Sequence, residues 1–202
     1  MADHGYTLFD TAIGRCGIAW GTRGIVAVQL PEAHDRRTRA RLLRRHPDAR
    51  EEAPPQSVRD AIAGIATLLD GNAADLSGIA LDMDGVPPFN RGVYEIARTI
   101  PRGATLTYGE IAARLCASDL ARHELSRAVG QALGQNPFPP VVPCHRVVAA
   151  GHKTGGFSAN GGVATKLRLL AIEGAQLDAG CPLFDRPGEI LPVQIRPGRA
   201  AR

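Results

Sequence analysis

Pro140-Val141-Val142-Pro143-Cys144-His145-Arg146-Val147-Val148 sets a thiol beside an imidazole between two apolar runs. A cysteine acts as a nucleophile in its thiolate form, and a neighbouring base or positive charge lowers its pKa toward the working range. Adjacent side chains do not face one another on a helix, so His145 would reach Cys144 through a water or across a turn. A third group must then orient the imidazole. A cysteine in an apolar run also has a plainer reading, as a small buried hydrophobe.

Upstream of this string the chain reads as helix, turn, helix. Phe89 opens the region, and Val93, Ile96, Ala97 and Ile100 mark one helical face that ends at Pro101. Thr107 with Glu110 three residues on forms a capping-box pattern for a helix from Tyr108 to about Cys116. A further helix carries Leu125, Val129, Ala132 and Leu133 on one face. Arg127 lies about 200° around from Leu125 and shares the outer face with Gln131. Ala128, Gly130 and Gly134 are small enough to let that helix approach another surface closely, and an outward arginine on the second helix of such a pair suits a DNA contact. The connection Ala117 to Glu124 is long and lacks a turn glycine, so either the second helix starts near Asp119 or the turn is extended.

With Asn136-Pro137 before it and Gly155-Gly156-Phe157-Ser158 after it, Pro-Cys-His-Arg-Val-Val resembles the active-site signature of the O6-alkylguanine-DNA alkyltransferases, the methylated-DNA–protein-cysteine methyltransferases. The resemblance runs from about Phe89 to Gly174. It implies repair of double-stranded DNA carrying O6-alkylguanine: the damaged base is flipped out of the duplex, and its alkyl group passes irreversibly to Cys144. A thioether offers nothing for water to displace, so each molecule acts once, as a suicide transferase. The resemblance further implies that Arg127 fills the gap left by the base and that Tyr108 crowds the phosphate and offers its hydroxyl to a guanine ring nitrogen. His145, oriented by Glu173, would draw off the thiol proton. The carbonyls of Cys144 and Val147 would accept from the guanine amino group, and the Ser158 amide would approach the alkylated oxygen. Asn136 would brace the turn, and Pro139, Gly155, Gly156 and Phe157 would border the alkyl pocket. Gly155-Gly156 also reads as a tight turn.

Before residue 84 there is no catalytic constellation. Tyr6 to Asp10, Cys16 to Trp20 and Ile25 to Leu30 are β-prone, with Gly21 to Gly24 as a hairpin turn between the last two. Asp35 to Arg45 is an Arg-rich helix ending before Pro47. After Pro54-Pro55, Ser57 is expected to cap a helix in which Val58, Ile62, Ile65, Leu68 and Leu69 follow helical spacing until Gly71. Ile79 to Met83 reads as a returning strand, and Asp84 to Pro88 as a linker.

The expected fold is therefore α/β (α+β) with two domains. A small strand-rich α/β domain covers 1–84, and the resemblance makes 85–180 a mainly helical, winged-helix-like domain with a helix-turn-helix. Residues 181–202 form a tail rich in Pro, Gly and Arg.

Charge follows that division. Residues 1–84 hold 10 Lys and Arg against 12 Asp and Glu, whereas residues 85–202 hold 14 against 8, so the half with the Cys-His string is the basic one, as a polyanion partner requires. Cys16, Cys116, Cys144 and Cys181 are far apart, with no C-x-x-C spacing, which argues against a zinc cage and a disulfide framework. Some family members carry zinc in the N-terminal domain, but Cys16 alone makes no such site, and no cofactor is expected. No apolar run of about 18 residues and no basic-then-apolar leader occurs, so a cytoplasmic monomer without a membrane partner is expected. Three other readings stand beside the transferase. A non-catalytic alkyltransferase-like lesion binder would lack the reactive cysteine. A Cys-His hydrolase would not put its histidine next to its cysteine behind a helix-turn-helix. A sequence-specific regulator would not need the Cys-His pair.

Overall fold

A computed structural model of the protein describes residues 4–116 and 122–175. Strands β1 (Gly5–Thr11), β2 (Gly14–Gly21) and β3 (Gly24–Gln29) form an antiparallel meander, as their β-prone runs and glycine turns require. A two-residue β4 (Arg50–Glu51) adds in parallel to β1, giving the order β3-β2-β1-β4. The two-residue alternation of strand side chains sorts the sheet into two faces. Tyr6, Ala19 and Ala27 pack with Leu42 of helix α1 (Asp35–Leu43), joined by Val26 where a register shift between Ala19 and Trp20 breaks the alternation. Cys16, Ile18, Trp20, Ile25 and Val28 join a larger core with Val58, Ala61, Ile65 and Leu69 of α2 (Gln56–Leu69).

That larger core does not stop at residue 84. It continues through Val93, Tyr94 and Ala97 of α3 (Pro88–Arg98), Ile111 and Ala112 of α4 (Tyr108–Leu115), Val129 and Ala132 of α5 (Arg122–Gly134), and Leu169 of α6 (Val163–Ile172). The short strands β5 (Leu106–Thr107) and β6 (Val147–Val148) pair in parallel and tie the start of α4 to the stretch after Cys144. Thr107 and Glu110 form the expected capping box: the Thr107 hydroxyl accepts from the Glu110 amide, and Glu110 accepts from the Thr107 amide. Gly71, at φ +86°, closes α2 in the left-handed region, with the Asn72 amide donating to Thr67 O as in a Schellman ending.

The seam between the first 84 residues and the rest is closed by more than apolar contact. β3 is an edge strand, and its Val28 amide donates to Pro137 O over 2.7 Å. Arginines reach across to backbone carbonyls: Arg45 to Gln135 O, Arg98 to Ser77 O and Ile79 O, Arg102 to Gly71 O, and Arg168 to Ala12 O.

Two expectations need correction. Ser57 is not the cap of α2, because Pro55, extended at φ −66° and ψ 167°, holds the N-cap position and the chain turns helical directly after the proline pair. Ile79 to Met83 makes no strand but a single parallel bridge, Leu81 to Ile25: the Ile25 amide donates to Ala80 O, and the Asp82 amide to Ile25 O. Helix α5 is described from Arg122 onward, and both starts that the sequence left open, near Asp119 or after a longer turn, involve 117–121, outside the described residues. Cys181 and the tail lie outside them too. Among the described residues no helix is long and apolar enough to cross a membrane.

Candidate active site

Cys144 sits in the first turn of a short 3-10 helix, Cys144–Arg146, that leads straight into β6. The turn is fixed from both sides. The Arg146 amide donates to Pro143 O, and the Val147 amide to Cys144 O. Asn136 braces the approach, its Nδ2 donating to Val142 O at 2.8 Å while its Oδ1 accepts from the Phe138 amide at 2.9 Å. Between them the Pro139–Pro140 peptide is cis.

Cys144 lines a cavity of about 100 Å³ with Asn136, Pro137, Pro139, Phe157 and Ser158, and α1 supplies the opposite wall. Only 8% of Cys144 is exposed. Burial pushes its thiol pKa up, whereas the Asn136 side chain, the positive charge of Lys166 and the amides of Cys144 and His145 work the other way.

His145 and Glu173 meet although 28 residues separate them, because Glu173 caps the C-terminus of α6 and α6 packs on the Cys144 turn. Burial on its own would raise the Glu173 carboxyl, but hydrogen bonds and charge from His145 and Arg146 outweigh it and hold the pKa down at about 2. Glu173 is therefore a carboxylate, so the 2.9 Å contact is His145 Nε2–H donating to Glu173 Oε1. That leaves Nδ1 as the imidazole's lone-pair nitrogen. It is buried and has no hydrogen-bond partner among the described residues. Burial lowers the His145 pKa against the opposing pull of Glu173, which keeps the ring neutral and basic at pH 7.

Two charged residues that sequence reasoning passed over complete the cluster. Arg146 grips both Glu173 oxygens, Nε to Oε2 at 2.7 Å and Nη2 to Oε1 at 2.9 Å, and also reaches Ile100 O. Lys166, fully buried, donates from Nζ to Val147 O at 2.6 Å and to Gly156 O at 3.4 Å, and lies 5.8 Å from the centre of the Tyr108 ring. Burial depresses its pKa to about 8. A signal for Lys166 was present: with Leu169, Leu170 and Glu173 it falls on the one apolar stripe of α6, where a surface lysine does not belong.

Tyr108 opens α4 at the edge of the cluster, half-buried, its phenol pKa raised by burial and by the nearby Cys144. Gly155 has φ +67°, and a Cβ there would stand 3.2 Å from Tyr108 Cε2 and its hydroxyl oxygen. Its lack of a side chain thus serves the close approach of Tyr108, whereas a Cβ on Gly156 would meet nothing within 4 Å. Val147 O, expected to face a ligand, already accepts from Lys166 and has one lone pair left. Arg127 and Gln131 are exposed on α5, Ala128 is half-buried, and α5 packs against α4 where Gly130 approaches the Tyr108 ring. None of these three lines the cavity, which α5 reaches only through Gly134, along one helical face from Arg127 and Gln131. Among the described residues no group of His, Cys, Asp and Glu is arranged to hold a metal ion.

Residues 88–175 match the family model described as the 6-O-methylguanine DNA methyltransferase DNA binding domain. A methylated-DNA–protein-cysteine methyltransferase of Methanothermobacter thermautotrophicus is 35% identical over 80% of this chain and 81% of that protein. Among solved structures, Mycobacterium tuberculosis OGT in complex with DNA matches with a TM-score of 0.64 and 30% identity, over 84% of this chain and 92% of that one. The O6-methylguanine-DNA methyltransferase of Pyrococcus kodakaraensis matches at 0.61 and 28% identity, over 85% and 99%. With 35% identity over 80% of this chain and 81% of that Methanothermobacter relative, the chain belongs to the methylated-DNA–protein-cysteine methyltransferase family.

Proposed function

We infer that the protein repairs DNA by moving the alkyl group of O6-alkylguanine in a duplex to its own Cys144. One observation carries the reading: the Cys144 thiol lies on the wall of a cavity, next to a neutral imidazole that a buried carboxylate holds in a single tautomer. In the step proposed, the thiol proton passes through a water to His145 Nδ1, and the sulfur attacks the alkyl carbon. The carbon–O6 bond breaks, its electron pair passes into the guanine ring, and the base leaves carrying the proton that the thiol gave up. Tyr108, donating to a ring nitrogen, stabilises the charge that develops there. The Ser158 amide meets the alkylated oxygen, and the Cys144 and Val147 carbonyls take the amino group.

Reaching the oxygen requires the nucleotide to leave the stack, at a cost of a few kcal/mol. Arg127 is assigned the gap, with Ala128 and Gln131 against the duplex. Pro139, Gly155, Gly156 and Phe157 bound the alkyl space, and Asn136 holds the turn. Residues 85–180 are the DNA-binding alkyltransferase unit, 1–84 the supporting α/β unit and 181–202 a tail. The protein works as a cytoplasmic monomer and needs no cofactor.

Incubation with duplex carrying radiolabelled O6-methylguanine tests the reading. Label should move to Cys144 in a one-to-one ratio. Cys144→Ala should take up none while binding duplex within a few fold of wild type, since phosphate contacts dominate that interface. Uptake by Cys144→Ala would end the proposal. Cys16, whose thiol burial raises to about 12, should be replaceable by alanine without loss of transfer, as should Cys116 and Cys181.

A further inference from the structure

The wall of the cavity that carries Ser158 is irregular backbone, held locally by the Ala149 amide donating to Lys153 O and by Lys166 donating to Gly156 O. Residues 153–158 form neither helix nor strand, and Ser158 is exposed. Its carbonyl is taken from the other side of the cavity, where Arg41 of α1 donates from Nη2 to Ser158 O over 2.8 Å, across 117 residues of sequence.

Arg41 is itself aimed. Its Nη1 donates at 3.0 Å to Glu32 Oε1, on a side chain only 8% exposed, and the same oxygen accepts from Gln29 Nε2 at 3.3 Å. Gln29 closes β3, the strand whose Val28 amide holds Pro137 O. A free arginine would sample many rotamers. One whose fork is gripped on one side by a near-buried carboxylate presents its other side in one direction. Gln29, Arg41 and Ser158 all line the Cys144 cavity.

We propose that Gln29, Glu32 and Arg41 form a positioning brace by which the N-terminal sheet sets the Ser158 end of the substrate pocket. By fixing the carbonyl of Ser158, the brace fixes the backbone that carries the Ser158 amide and keeps that amide pointed at the oxygen from which the alkyl group departs. Arg41 is a positioning residue: it acts on leaving-group stabilisation through Ser158 and does not touch thiol activation. The inference rests on the role given to Ser158 under the proposed function.

The full chain and its Arg41→Ala, Arg41→Lys and Glu32→Gln variants would be reacted with free O6-benzylguanine and with duplex containing O6-methylguanine. Cys144 labelling by iodoacetamide, affinity for undamaged duplex and melting temperature are measured alongside. Arg41→Ala should slow alkyl transfer from both purine substrates by about tenfold, the scale on which sub-ångström misplacement acts. It should leave iodoacetamide labelling and duplex affinity within about twofold of wild type. Arg41→Lys, which keeps one donor, should recover part of the loss, and Glu32→Gln should lose less in the same direction. Arg168→Ala, which removes the bond to Ala12 O across the same seam, controls for general loosening and should keep the transfer rate.

An unchanged free-base rate in Arg41→Ala overturns the brace, and loss of duplex affinity with that rate intact would make Arg41 a phosphate contact instead. Equal slowing in Arg168→Ala overturns it too, by assigning the effect to stability. If wild type transferred no alkyl group at all, the parent reading would fall. Transfer by wild type with an indifferent Arg41 sinks the brace alone.

Discussion

Lys166 places a buried positive charge near the Cys144 thiol. A buried thiol resists ionisation, and the nearby ammonium offsets part of that cost. The sign follows from the lysine's own depressed pKa of about 8: the charge that favours the thiolate is fully present below that pH and fades above it. Lys166→Met should therefore move the rising limb of the rate–pH profile for O6-benzylguanine to higher pH. The rate at pH 7 should fall by roughly tenfold for every pH unit the limb moves, and a limb that stays in place would show that the amine only braces Val147 O. Gly155→Ala should slow methyl repair and benzyl transfer alike, because the new methyl group meets Tyr108 and the backbone sits at φ +67°. Selective loss of the benzyl reaction would instead make Gly155 a gate for adduct size. Cys144 and His145 stood out in the sequence because their motif is local, whereas Glu173 was reached only through the family resemblance. Arg146 did not, since a charged side chain reads as solvated until its buried partners are known, and Lys166 was passed over although its place on the apolar stripe of α6 marked it. Arg41 was hidden for another reason: its partner is Ser158, 117 residues away.

Among the elements, α4 and α5 carry the residues proposed to meet the duplex. α4 is set by its capping box, and such caps contribute about 1 kcal/mol each. Its first residue is Tyr108, so the register of that cap also places the phenol beside Cys144. α5 buries Val129, Ala132 and Leu133 and leaves Arg127 outside. Arg127→Ala should slow repair of duplex far more than reaction with free O6-benzylguanine, because only the duplex has a gap to fill. Comparable slowing on both would place Arg127 in the pocket or in folding. Helices with a clear apolar period, α2, α3 and α4, were readable to within a residue or two. The two-residue strands β4, β5 and β6 were not, because each exists only as a pairing with a distant segment and has no periodicity of its own. Ile79 to Met83 misled for the converse reason: it has the composition of a strand, but only Leu81 finds a partner.

At the scale of the whole molecule, one apolar core takes residues from both sides of Gly85, so the two halves of the chain share an interior. A chain beginning at residue 85 would leave Val93, Val129 and Leu169 without part of their packing and Pro137 O without its donor. It should bind a hydrophobic dye and transfer methyl groups more slowly, and adding residues 1–84 in trans should restore both. Full activity of the isolated half would mean that the shared core is dispensable to the site. The division near residue 84 was visible as a shift in charge and composition, whereas the depth of contact across it was not. The polar part of that seam has a property of its own. Its arginines end mostly on uncharged carbonyl oxygens, at Gln135, Gly71, Ser77, Ile79 and Ala12. Attraction between a cation and a short dipole is a contact effect that dissolved ions barely weaken, whereas the pull of a basic surface on a phosphate backbone fades steeply as they accumulate. An ionic strength high enough to strip this protein from a polyanion therefore leaves its two halves locked together.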